Sequence, residues 1–171
     1  YRQMEYCYFA IGDYDDALQR CELLLQIKPD SQAYLYEKAN VLIKLELFAE
    51  ALVILYKLDF LRPNNATITH EILWCAFVCD DFEAAIRYFK RLEETNTTNA
   101  NDWINMGHIH FIQDKRMDAY QSYKRAMMQM ADLKKFLAAF RPDRPLLVEK
   151  GIRLDEVYLM EDQLISSWSE K

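Results

Sequence analysis

The chain has 171 residues, 51% of them hydrophobic, with only three glycines and four prolines. That is too apolar for a disordered chain and too poor in turn formers for an all-β one, so the composition points to helices. A net charge of −6 argues against nucleic acid or an anionic membrane as the main partner, because phosphates need clustered Lys and Arg.

In chain order, apolar residues in YRQMEYCYFAI fall at helical spacing, and Gly12-Asp13 breaks that helix before Tyr14 and Asp15 start the next. The second helix carries Ala17, Leu18, Cys21, Leu24 and Leu25 on one face. Pro29 stops it, and Asp30-Ser31 supplies an N-cap for the third helix. The plan recurs over 35–45 and 48–61, ending at Pro63 and Asn64-Asn65. A third copy runs over 69–79, turns at Asp80-Asp81 and continues over 82–94. A fourth spans 101–113, turns at Asp114-Lys115 and resumes at Met117. Its second helix is predicted to continue to Phe140, because Ala126, Met130, Leu133, Leu137 and Phe140 keep helical spacing, with Arg141-Pro142 ending it. Asp143 is then expected to cap a short helix with Pro145 in its first turn and Gly151 at its end. A last amphipathic helix over 152–168 places Val157, Met160, Leu164 and Trp168 on one side.

The four copies are in register at 34 residues. Ala17, Ala51, Ala85 and Ala119 form one column, Cys21, Leu55, Phe89 and Tyr123 a second, and Leu24, Leu58, Leu92 and Ala126 a third. Small residues let paired helices approach closely while larger neighbours fill the gaps, and one pair cannot bury its apolar face alone. The fourth copy is the sharpest, with Trp103, Met106, Gly107 and His110, then Ala119, Tyr123 and Ala126. These residues resemble the tetratricopeptide signature W-x2-L-G-x2-Y followed by A-x3-F and A. The first copy matches it through Tyr1, Met4, Tyr8, Gly12, Tyr14, Ala17 and Pro29, and the second through Leu35, Ala39, Leu42, Phe48, Ala51, Leu55 and Pro63. The third diverges at Thr69, Ile72 and Leu73, where Leu73 is expected to widen the helix–helix approach.

The resemblance implies an all-α, right-handed α-solenoid of four tetratricopeptide helix-turn-helix repeats with a C-terminal helical cap. Its repeats would be 1–31 (truncated at its start), 32–65, 66–99 and 100–131, with capping helices over 132–171. The last helix could alternatively dock into a groove. In such arrays the first helices line a concave groove that binds an extended peptide or a partner helix. The register then assigns Arg2, Tyr36, His70 and Ile104 to one groove column, and Tyr6, Asn40, Trp74 and His108 to the next. A third column, Phe9, Ile43, Phe77 and Phe111, reads better as core between repeats, with Lys44 beside it facing the groove. Aromatic rings with a polar handle suit peptide recognition. Chaperone-binding members of the family hold a C-terminal carboxylate in a clamp of Lys, Arg and Asn. Here the corresponding places are Arg2, Tyr6, Asn40, Thr67 and Glu71, of which only Arg2 and Asn40 fit, so that specificity is not expected.

No catalytic site is legible. His108 and His110 lie two apart and point about 200° apart on a helix, so they cannot chelate one metal side by side. The glycines stand alone, and the acidic runs Asp13, Asp15, Asp16 and Asp80, Asp81, Glu83 fit helix starts. Cys7, Cys21, Cys75 and Cys79 form no CxxC and sit in apolar helical settings, as reduced thiols of a cytoplasmic protein would. The basic pairs Lys124-Arg125 and Lys134-Lys135 read as solvated helix faces. No run approaches the ~18 apolar residues of a membrane span, and no secretory signal pattern is present. The chain opens at Tyr1 inside a repeat, as a piece of a longer protein would. The expectation is a non-enzyme without cofactor or metal whose partner is another protein or peptide, or, alternatively, a module that self-associates into a homo-oligomer.

Overall fold

The computed structural model describes residues 13–169, and among them the only regular structure is helical. The chain divides into two compact units, the first ending at Arg91 and the second beginning at Leu92.

The first unit contains α1 (Tyr14–Ile27), α2 (Gln32–Lys44), α3 (Phe48–Leu61), α4 (Ala66–Val78) and most of α5 (Phe82–Glu94). The helix starts are fixed locally. Asp13, Ser31 and Asn65 accept hydrogen bonds from the backbone N–H groups of Asp16, Tyr34 and Ile68, satisfying donors that the first helical turn leaves open. Asp81 does the same for Ala84 at 3.0 Å. Within each hairpin the chain reverses through a left-handed residue, Glu46 at φ 60° and Asp80 at φ 63°. The next amide then reaches back five residues, from Leu47 to the Leu42 carbonyl and from Asp81 to the Ala76 carbonyl. This closure satisfies carbonyls at the helix end and sets the second helix against the first.

Ala17, Ala51 and Ala85 are entirely buried, and Cys21, Leu55 and Phe89 are buried one turn further along. Leu73, in the place of the small residue, is also fully buried. Thr69 turns its hydroxyl back onto the Asn65 carbonyl at 2.9 Å, which lets a polar residue occupy a buried position. On α3 and α5, Asp59 accepts two hydrogen bonds from Arg91, at 2.8 and 2.9 Å, and a third from the Tyr88 hydroxyl at 2.9 Å. Burial works against the charge on Asp59. The guanidinium and the hydroxyl more than offset it and hold the carboxyl below the usual carboxylate range.

The second unit contains the end of α5, then α6 (Ala100–Ile112), α7 (Arg116–Met130), α8 (Leu133–Phe140), a 3-10 turn (Arg141–Asp143), α9 (Arg144–Glu149) and α10 (Leu154–Ser169). A reciprocal capping box replaces the missing proline. The Asn99 side chain accepts from the Asp102 N–H at 3.1 Å, and the Asp102 carboxylate from the Asn99 N–H at 2.7 Å. The α6–α7 turn repeats the earlier geometry, with Asp114 at φ 58° and the Lys115 amide bonded to the His110 carbonyl.

Two expectations are corrected here. The second helix of the fourth copy does not run on to Phe140. It ends at Ala131, which is left-handed at φ 51°, and Asp132 caps α8 by accepting from the Lys134 and Lys135 amides. Helical spacing survives across the break because the turn hands Phe136 and Phe140 to the same core as Ala126 and Met127. Asp143 makes no side-chain cap for α9, since its carboxylate is turned to His108 instead. Pro145 does lie in the first turn of α9, and Gly151, at φ 96°, allows the Ile152 amide to reach back to the Leu147 carbonyl. Val157, Met160 and Leu164 of α10 are buried in the core of this unit, with Trp168 packed against it.

Candidate functional site

Arg2 and Tyr6 lie outside the described residues. In the first unit the remaining candidates come from two helices. α2 carries Tyr36, Asn40 and Lys44 at successive turns, and α4 carries His70 and Trp74, also one turn apart. Tyr36, Asn40, His70 and Trp74 are partly exposed and Lys44 is exposed, so all five reach solvent.

The two helices share one polar surface. Burial keeps the Tyr36 phenol above its ordinary pKa, with Asn40 pulling against the rise and the charge of Glu71 adding to it. Burial also raises the pKa of Glu71, against the pull of Lys44 and His70. The charge of Glu71 on α4 is thus felt by Tyr36 on α2, and that of Lys44 on α2 by Glu71. Trp74 stands edge-on to Phe48 at 6.3 Å and is tilted against Phe77 at 5.8 Å. At the N-terminal ends of the helices a cavity of about 290 Å³ opens beside Tyr36, lined also by Gln32, Ala33, Arg62, Asn65 and Thr67.

Glu71 belongs to this surface although the groove columns did not include it. The 34-residue register puts Glu37, Glu71 and Asn105 in the column beside Tyr36, His70 and Ile104, which is the signal that would have found it. Of the column expected to be core between repeats, Phe77 and Phe111 are buried, Ile43 is only half-buried, and Phe9 lies outside the described residues.

The second unit treats its two candidates differently. Ile104 and His108 do not line an open groove: Ile104 is 2% exposed and His108 is 0% exposed. Ile104 is part of the hydrophobic core that includes Phe136, Phe140, Leu147, Val157 and Leu164 from the C-terminal segment. His108 sits among Tyr123, Phe140 and Asp143, its Nδ1 2.8 Å from the Tyr123 hydroxyl and its Nε2 3.2 Å from Asp143 Oδ2. A carboxylate can only accept, so Nε2–H donates to Asp143, while the Tyr123 hydroxyl, which can donate or accept, partners Nδ1. Burial, and then the charge of Asp143, keep the Tyr123 phenol protonated. The chain's own C-terminal segment therefore occupies the place the register assigned to a guest. The reason is apolar area: the face of α6 that holds Ile104 and Phe111 is covered by side chains from α8 to α10.

No group of three or more His, Cys, Asp or Glu among the described residues is arranged to hold a metal ion. Cys21, Cys75 and Cys79 are in no disulfide among the described residues. Burial, with the nearby Glu71 charge, pushes the Cys75 thiol up to about 12. Among the described residues no helix is long and apolar enough to cross a membrane.

No family model and no curated protein sequence matches the chain. Solved structures do match. A structure of MamA from Desulfovibrio magneticus RS-1 is similar with a TM-score of 0.69 and 15% identity, covering 95% of this chain and 94% of that one. The thermophilic protein TTC0263 from Thermus thermophilus, described as a TPR protein, matches with a TM-score of 0.64 and 23% identity over 96% of this chain and 88% of that one. A tetratricopeptide repeat protein from Parabacteroides merdae ATCC 43184 matches with a TM-score of 0.64 and 18% identity over 95% of this chain and 70% of that one. With the hairpin register and the buried alanine column, these likenesses make the fold of this chain that of the tetratricopeptide repeat proteins.

Proposed function

We propose that the chain is a non-catalytic protein-interaction module that receives an extended peptide or a partner helix across α2 and α4. The fold is one generally used as a protein-interaction scaffold, which supports the class of function. The observation that carries the reading is that Tyr36, Asn40, Lys44, His70, Glu71 and Trp74 all reach solvent from α2 and α4, with Tyr36 also lining the cavity. Two aromatic rings give contact area at low rotamer cost, Asn40 offers a donor and an acceptor to a peptide backbone, and Lys44 and Glu71 set charge preferences. Ile104 and His108 take no part. The buried thiols of Cys21 and Cys75 suit a reducing compartment such as the cytoplasm.

The test is a pull-down with the intact chain beside a Tyr36→Ala/Trp74→Ala variant. Partners retained by the intact chain and lost with the variant are expected. An unchanged set of captured proteins would remove this surface from consideration.

A second reading, self-association, is favoured by Val53 and Phe60 on α3, seven residues apart on one helix face and 71% and 84% exposed. Light scattering across a concentration series separates the two, since a monomer at high concentration excludes the homo-oligomer.

A further inference from the structure

The second unit carries a groove of about 590 Å³ between α7 and α10 that uses none of the residues proposed above. Phe111, Tyr120 and Met160 form its floor, and Phe111 and Met160 are almost entirely buried. Met117 on α7 and Leu159 on α10 form its two lips, 70% and 58% exposed. The helix geometry explains why the groove exists. α10 spends one stripe, Val157, Met160 and Leu164, on the core, and the adjacent stripe, Glu156, Leu159 and Gln163, borders the groove. One end is closed by Arg116, whose Nη2 lies 3.0 Å from Glu156 and whose guanidinium stands 5.5 Å from the centre of the Phe111 ring. Arg116 is the one cation among the lining residues, and it is already paired with Glu156 and with Asp114. Lys124 stands 5.7 Å from the centre of the Tyr120 ring, and with Asp114, Arg116, Glu156 and Asp162 counted beside it the groove and its immediate rim keep one net negative charge.

We propose that this groove receives the apolar face of a short partner helix whose flanking Lys or Arg pairs with Asp162. The volume lies within the ~300–1,000 Å³ of ligand-sized sites, and a trough between two helices is the shape that takes apolar side chains at i, i+3 and i+4. Methionine on one lip and in the floor adapts to side chains of different outline. Charge chooses among occupants. An anionic lipid surface or a nucleic acid is repelled by the charge of Asp162, whereas a basic amphipathic helix is complementary.

The experiment uses the 171-residue chain and two synthetic amphipathic peptides, capped at both ends, with leucines at i, i+3, i+4 and i+7. The peptides differ only in a flanking Lys or Glu, and binding is read by fluorescence anisotropy. The Lys peptide should bind about two- to fivefold more tightly, the range for an exposed ion pair, and Asp162→Lys should invert the preference. Met117→Ser/Leu159→Ser should weaken binding of both peptides about tenfold or more. Both positions are exposed, so the circular dichroism melt should not move. Absence of binding, equal affinity for both peptides before and after Asp162→Lys, or binding that survives the double variant overturns the proposal. A concentration-dependent dimer that the double variant abolishes would assign the groove to a second copy and overturn it equally.

Discussion

Asp143 Oδ2 lies 3.2 Å from Nε2 of His108, a side chain with no exposure to solvent, and the pair ties the turn after α8 to the middle of α6. Removing the carboxylate leaves a ring nitrogen buried without this acceptor. Asp143→Ala should lower the unfolding free energy by about 1–3 kcal/mol, the cost of an unsatisfied buried polar group. Urea unfolding followed by circular dichroism measures it, and a loss near zero would mean that water replaces the carboxylate at no cost.

Gly107 is required by close approach. A Cβ built there would lie 2.3 Å from Cε1 of Tyr123, far inside van der Waals contact. The Tyr123 ring cannot easily yield, because it stands edge-on to Phe140 at 5.1 Å and its hydroxyl bonds His108. Gly107→Ala should therefore destabilise by about 1–3 kcal/mol despite the better helix propensity of alanine. A thermal melt that rises instead would show that the ring has room to move.

Ala85 is fully buried on the face α5 turns inward, whereas Lys90 on the same helix is exposed. Ala85→Leu should cost about 1–3 kcal/mol by overpacking, and Lys90→Leu should stay within about 0.5 kcal/mol. Chemical denaturation of the two variants side by side provides the comparison.

Two carboxylates should respond to pH in opposite senses. Burial opposes the charge of Glu161, but hydrogen bonds from Arg144 and Arg141 more than offset it and lower its pKa below 4.5 in the folded chain. Its stabilisation is present above the unfolded value and disappears as pH falls through the folded one. The stability gap between the native chain and Glu161→Gln should hold constant near neutrality and shrink below about pH 4.5. Glu71 is the reverse, with a folded pKa raised above 4.5 by burial. Its negative charge costs stability above that value, so Glu71→Gln should stabilise the chain at pH 7 and lose the advantage on acidification. Denaturant titrations from pH 3 to pH 8 test both signs.

The partial exposure of Tyr36, Asn40 and Trp74 was legible from the sequence because a 34-residue period places residues of equal rank on equal faces of successive helices. His108 followed the same arithmetic and ended inside the protein. Its column position was read correctly, but its exposure depended on residues such as Phe140 and Asp143, which lie beyond the periodic region. The break at Ala131 escaped for a related reason: an alanine at φ 51° carries no turn signal, and the apolar spacing on either side remained helical.

Local chemistry by itself determined the hairpins, their caps and the inward alanine columns, because each depends on contacts within one turn or at a constant separation along the chain. Only the tertiary structure decided which candidate faces stay open. Burial of Ile104 and His108, and the groove between α7 and α10, arise from how the C-terminal segment folds back on the fourth hairpin, and non-directional apolar packing leaves no periodic mark that would announce it.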